Sequence, residues 1–164
     1  MANKLSKEDI TTIVDEFGNS ILRMCYLYLK DYQLAEDVTQ ETFIKVYEKI
    51  GTFRHNSSLK TWIMSIAINL CKNQMRTHWF KRTALEYFPD LTAKDSYGEI
   101  IEKNAVSVEI MRLQPKYREV ILLYYYQELS VKEIASVLCI KEATVLQRMK
   151  RAREQLKSLL KEVL

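Results

Sequence analysis

Turn-forming residues are scarce, with three glycines and two prolines in 164 residues. A sandwich or barrel needs many tight turns, so this scarcity excludes an all-β chain and points to long helices joined by short connections. Cysteine is equally rare. Cys25, Cys71 and Cys139 are odd in number, far apart and in no CxxC pair, which excludes a disulfide framework and a cysteine zinc site. They are expected to be small core residues in a reducing compartment. His55 and His78 are the only histidines, and no Ser/His/Asp set or glycine-rich phosphate loop accompanies them. The chain therefore offers no nucleophile or metal centre, and neither a metal nor another cofactor is expected. Long apolar runs are missing too, and Met1 to Asp9 is polar and charged. Neither a bilayer span nor a signal peptide is read, and the expectation is a cytoplasmic protein.

One further absence is local. No carboxylate stands between Lys49 and Glu86, where Arg54, Lys60, Lys72, Arg76, Lys81 and Arg82 lie among Phe53, Trp62, Trp79 and Phe80. Just upstream the sign reverses, with Asp31, Glu36, Asp37, Glu41 and Glu48 set against the single Lys45 of residues 31 to 48. The formal charge of +4 is modest, so it is this distribution that marks two surfaces able to attract different partners.

Hydrophobic residues make up 48% of the chain, enough to build cores. Their spacing is helical, and the chain reads as all-α: two small helical domains, 5–82 and 105–164, joined by an acidic linker, 83–104. In the first, Ser6 and Asp9 resemble a capping box, with Leu5 and Ile10 as the hydrophobic staple. Ile10, Ile13, Val14, Phe17, Ile21, Met24 and Tyr28 then mark a helix weakened in its middle by Gly18. Asp31 caps a second helix with Leu34, Val38, Phe43, Val46 and Ile50 as its apolar positions and Gly51 as its stop. Ser58 caps a third that buries Ile63, Ile66, Ala67 and Leu70, leaving Ser65, Asn69, Lys72 and Arg76 on the opposite stripe. Periodicity then fades through Pro89 and Gly98, where Glu86, Asp90, Asp95, Glu99 and Glu102 outnumber Lys94 and Lys103.

The second lobe opens with Val106 to Leu113, and Pro115 suits the first position of a helix carrying Val120, Ile121 and Tyr124. Ser130 and Glu133 form another capping box, ahead of Val131, Ile134, Ala135 and Leu138. A short turn at Cys139 to Lys141 leads to a helix from about Glu142, with Val145, Met149, Ala152, Leu156, Leu159 and Val163 on its buried side. These lengths are those of a helix-turn-helix, whose second helix enters the major groove. Gln147, Lys150 and Glu154 share an outward face with Arg151 beside them, and Lys141, Arg148, Arg153 and Lys157 add charge. A solvated basic face is the plain alternative, and the capped helix and short turn directly upstream favour DNA.

In the first lobe, Phe53 and Trp62 flank the polar loop Arg54, His55, Asn56, Ser57 and Ser58. Aromatic stacking beside cations suits an unpaired strand, although a tryptophan at helical spacing is also an ordinary core residue. Glu36, Asp37, Gln40 and Glu41 lie about one turn apart on the second helix as a candidate protein-binding stripe. A solvated surface is the simpler reading, and a nuclease would recruit Asp37 and Glu41 as metal ligands without a histidine to complete the site.

Two blocks of the chain, LAEDVTQETFIKVYEKIGTFRHNSSLKTWIMSIAINLCKNQMR at 34–76 and LQPKYREVILLYYYQELSVKEIASVLCIKEATVLQRMKRAREQL at 113–156, resemble the two domains of extracytoplasmic-function sigma factors. The resemblance implies a non-enzymatic factor that directs RNA polymerase core to promoters and assists melting. It implies that the second helix, through Glu36, Asp37, Gln40, Glu41 and Phe43, docks on the beta-prime clamp helices. Phe53, Arg54, His55, Asn56, Ser57, Ser58, Lys60, Trp62, Asn69, Lys72 and Arg76 would recognise and melt the minus-ten element, capturing a flipped base. Lys141, Thr144, Leu146, Gln147, Lys150 and Arg151 would read the minus-thirty-five duplex, with Arg148 and Arg153 nearer the phosphates and the beta flap as a further partner. It also implies control by a membrane-bound anti-sigma factor, without membrane insertion of the chain itself. Cys139, Lys141 and Ala143 replace a turn glycine, a capping serine and a second glycine usual in the family, and Leu146 replaces a commonly basic residue. An ordinary helix-turn-helix repressor or activator is the rival reading.

Overall fold

The computed structural model describes residues 7–82 and 105–163, and every regular element among them is helical. The capping box at Ser6 and the linker 83–104 lie outside the described residues. The chain divides into two compact units, Met1–Leu91 and Thr92–Leu164.

In the first unit, α1 (Lys7–Leu29), α2 (Tyr32–Lys49) and α3 (Leu59–Arg82) pack on one another. The apolar stripe of α1 buries Ile13, Ile21, Met24 and Tyr28, whereas Val14 is exposed and Phe17 half-buried because they lie at its edge. Only Lys30 and Asp31 separate α1 from α2. Lys30 takes a positive φ of 62° and its N–H reaches the Tyr26 carbonyl at 2.7 Å, turning the chain sharply. The Asp31 carboxylate then accepts from the Leu34 N–H at 3.0 Å, the expected cap. At the far end, Gly51 does not stop α2 through a left-handed turn. The helix instead tightens into a 3-10 turn, Ile50–Thr52, in which the Thr52 hydroxyl donates to the Lys49 carbonyl at 2.6 Å.

The third helix begins where expected, with the Thr61 N–H on Ser58 Oγ at 3.1 Å. Its buried side is wider than expected. Ile63, Met64, Ala67, Ile68, Leu70 and Cys71 face the core and Ile66 is half-buried, because α3 is covered by two neighbours instead of one. Cys71 donates to Cys25 Sγ at 3.6 Å, and this bond together with burial holds its thiol well above the ordinary range. Both residues are reduced core residues, as read from the sequence.

The second unit is arranged around its last helix. Helices α4 (Ala105–Arg112), α5 (Pro115–Ile121) and α6 (Val131–Leu138) all pack against α7 (Glu142–Val163), which buries Val145, Met149 and Ala152. Pro115 opens α5, where its missing N–H costs nothing. The helix widens at its end into a π turn, Leu122–Tyr126, closed by the Gln127 N–H on the Leu122 carbonyl at 3.1 Å. The extra residue in that turn shifts the helical register, which leaves Tyr124 half-buried and Tyr125 exposed.

Candidate nucleic-acid interfaces

The helix-turn-helix is built by two caps. Ser130 Oγ accepts from the Glu133 N–H at 3.2 Å, and the Glu133 carboxylate accepts from the Ser130 N–H at 2.8 Å, closing both ends of the box that starts α6. At the other end of α6, Cys139 adopts a left-handed conformation with φ 55°. The Ile140 N–H reaches the Ala135 carbonyl at 3.0 Å and the Cys139 N–H reaches that of Ser136 at 3.3 Å, the paired bonds of a Schellman ending. The turn thus keeps its shape without glycine. Cys139 is exposed there, so the expectation that it is a core residue is corrected: the left-handed turn places it on the surface. Where a capping serine is usual, the Lys141 carbonyl accepts from the Thr144 and Val145 N–H groups at 3.0 and 3.1 Å.

On the outer side of α7, Lys141, Leu146, Gln147, Lys150 and Arg151 are exposed and Thr144 is half-buried. Two residues expected nearer the phosphates, Arg148 and Arg153, also make contacts within the lobe. Arg148 Nη1 lies 3.2 Å from Glu119 Oε1, a carboxylate on α5 with a side chain 5% exposed. A buried carboxylate thus holds the guanidinium from within the lobe. Arg153 remains exposed, but its Nε donates to the Tyr125 hydroxyl at 2.8 Å and its guanidinium lies 5.7 Å from the Tyr124 and Tyr125 ring centres. Arg151 stands beside the Tyr117 hydroxyl and lowers its pKa from the ordinary phenol value.

The first unit carries a different arrangement. Trp62, Ser65, Asn69, Lys72 and Arg76 recur every three or four residues and so share one stripe of α3. At the head of this stripe the loop turns over itself, with His55 at φ 59°. The Phe53 ring lies 4.4 Å from that of His55 and 5.2 Å from that of Trp62. Phe53, Lys60 and Trp62 are half-buried, while Arg54, His55, Asn56, Ser57 and Ser58 are exposed. Farther along, Asn69 and Arg76 are exposed and Lys72 half-buried, with Arg76 donating to Asn73 Oδ1 at 2.6 Å. An aromatic cluster thus heads a cationic, amide-bearing stripe with no acidic residue in its segment.

On α2, Asp37 and Gln40 are exposed and Glu36 and Glu41 half-buried. Gln33 Nε2 donates to Asp37 Oδ1 at 3.3 Å. Phe43 is 8% exposed and anchors α2 to its own core. Two residues that sequence reasoning missed stand on the outside: Ile44 and Tyr47 are 56% and 51% exposed. Both fall off the inward phase of Ala35, Val38, Thr42, Phe43 and Val46, and that mismatch was the signal available. Among the described residues there is no group of three or more His, Cys, Asp or Glu able to hold a metal ion.

Comparison with known proteins gives these surfaces a context. The Sigma-70 region 2 family matches residues 13–81 and the Sigma-70, region 4 family matches residues 103–156. The ECF RNA polymerase sigma factor SigW of Bacillus subtilis is 31% identical over 98% of this chain and 93% of its own. The chain belongs to the extracytoplasmic-function sigma factors. A further relative in Bacillus subtilis, the ECF sigma factor SigM, is 32% identical over 92% of this chain and 94% of its own. The fold agrees with that of the sigma factor RpoE from Bartonella quintana, solved in complex with the anti-sigma factor NepR: the TM-score is 0.80 at 22% identity, over 94% of this chain and 98% of that one. As a sigma factor the chain is non-catalytic and serves promoter-specific initiation by RNA polymerase. No helix among the described residues is long and apolar enough to cross a membrane.

Proposed function

We propose that this sigma factor divides promoter recognition between its lobes, the first holding the minus-ten element as unpaired strand and the second holding the minus-thirty-five element as duplex. The observation that carries the reading is the stripe of Trp62, Ser65, Asn69, Lys72 and Arg76, headed by the Phe53–His55–Trp62 cluster. Stacking platforms beside backbone-tracking cations suit single strands, whose bases offer a free π face. Exposed Arg54, Asn56 and Ser57 give the loop hydrogen-bonding groups for a base turned out of the stack. In the second lobe, exposed Gln147 and Lys150 suit base edges in the major groove, and Lys141 and Arg151 suit the flanking backbone.

The outer face of α2 docks on the beta-prime clamp helices of the polymerase through Asp37, Gln40 and Glu41, with Glu36 at its edge. Ile44 and Tyr47 supply the apolar centre that a charged stripe alone lacks. The second lobe adds a contact with the beta flap, and the acidic stretch 83–104 joins the two. A membrane-bound anti-sigma factor holds the protein inactive, a reading supported by the structures of related folds bound to NepR and to the cytosolic domain of CnrY.

The test uses core polymerase. Core enzyme with this protein is expected to make specific transcripts from fragments of its own genome, and a gel shift on those fragments is expected to need the core. Tight, specific duplex binding without core, and no transcript with it, would replace this reading with an ordinary helix-turn-helix regulator.

A further inference from the structure

The first turns of α7 present one apolar side chain where the neighbouring groups are polar or small. Val145 and Met149 are 0% and 2% exposed and point into the lobe, whereas Leu146 is 57% exposed. Ala143, Gln147 and Lys150, the residues one turn before, beside and one turn after Leu146, are exposed as well, so Leu146 is no overflow from the core. An isolated exposed leucine is ordinary on a protein surface. This one lies in the opening turns of the second helix of a helix-turn-helix, the part that meets base edges.

A leucine side chain has no hydrogen-bonding group to offer. Against guanine, cytosine or adenine it would cover a donor or acceptor without replacing the lost water, whereas thymine displays a 5-methyl group in the major groove. Resting on the assignment of this lobe to the upstream duplex, we infer that Leu146 is a specificity residue that reads a thymine methyl in that element. It selects thymine by apolar contact and rejects the other bases by stranding their polar edges. Gln147 and Lys150 then read the adjoining base pairs from the same face.

Deoxyuridine tests this because it lacks only the methyl group. Holoenzyme formed with core polymerase is titrated against a promoter that it transcribes, with each thymine of the upstream element replaced in turn by deoxyuridine. At one position the parent protein is expected to bind about fourfold more weakly, the value of one buried methyl group. Leu146→Gln should be weakened on the thymine promoter and indifferent to that replacement, while Leu146→Met should keep the preference. Equal thermal melting of the three proteins checks that the exposed position leaves the fold intact. Specific transcription with no methyl-sensitive position, or a Leu146→Gln protein that still prefers thymine, overturns the inference alone. Absence of any core-dependent transcript overturns the promoter reading, and the inference with it.

Discussion

Arg148 and Lys150 sit two residues apart on α7 and look alike in sequence, yet their side chains have different work. Arg148 faces the buried Glu119 carboxylate, and Lys150 faces water. Arg148→Ala is therefore expected to destabilise the second lobe by about 1–3 kcal/mol, since it removes the cation opposite a desolvated acid. It should leave the salt dependence of promoter binding unchanged. Lys150→Ala should leave stability alone and weaken promoter binding by about 1–3 kcal/mol, the worth of a base-edge contact. Chemical denaturation and binding titrations across salt concentrations separate the two. Cys139 makes a different point about single residues. Its left-handed conformation costs a β-carbon-bearing residue about 1–2 kcal/mol, so Cys139→Gly should stabilise the lobe by up to about 1 kcal/mol once the greater freedom of unfolded glycine is allowed for. Hydrogen exchange in α6 and α7 measures the gain. The sequence revealed that glycine was missing there, but the retained turn became visible only with the two backbone bonds that close it.

At the scale of the element, most helix starts were legible because each is a local device. Asp31, Ser58 and Ser130 bond N–H groups within their own first turns, and Pro115 needs no partner at all. Helix ends and faces were less legible. The wide buried side of α3 answers to α1 and α2, which periodicity does not contain, and the 3-10 turn after α2 and the π turn after α5 close through backbone and side-chain bonds that apolar spacing does not specify. Gly18 lies inside α1, and a β-carbon added there would meet only Val14 Cγ1, at an ordinary 3.7 Å. Gly18→Ala is expected to stabilise the first lobe by roughly 0.8–1 kcal/mol, the helix-propensity difference. Both tryptophans, Trp62 and Trp79, belong to this lobe, so the fluorescence midpoint in denaturant reports the change.

For the whole molecule, the two compact units each carry one proposed DNA surface, and mutations in them should impair different steps. Trp62→Ala is expected to reduce open-complex formation by about 1–3 kcal/mol of lost stacking while leaving polymerase binding intact. Lys150→Ala should weaken the initial complex, and in the double variant the two losses should add within about 0.5 kcal/mol. Permanganate reactivity of unpaired thymines and gel shifts with core enzyme read the two steps; equal loss of opening and polymerase binding in Trp62→Ala would argue against the division. The sequence by itself determined the all-helical character, the caps at Asp31, Ser58 and Ser130, the charge reversal between α2 and α3, and the helix-turn-helix spacing. All of these depend on residues within a few turns of one another or on composition. Tertiary structure alone decided which members of those patterns reach solvent. Phe43 turns inward while Ile44 and Tyr47 turn out, and Arg148 is held by Glu119, 29 residues away, while Lys150 is not. Burial and ion pairing depend on what packs against a side chain, and that partner comes from another helix.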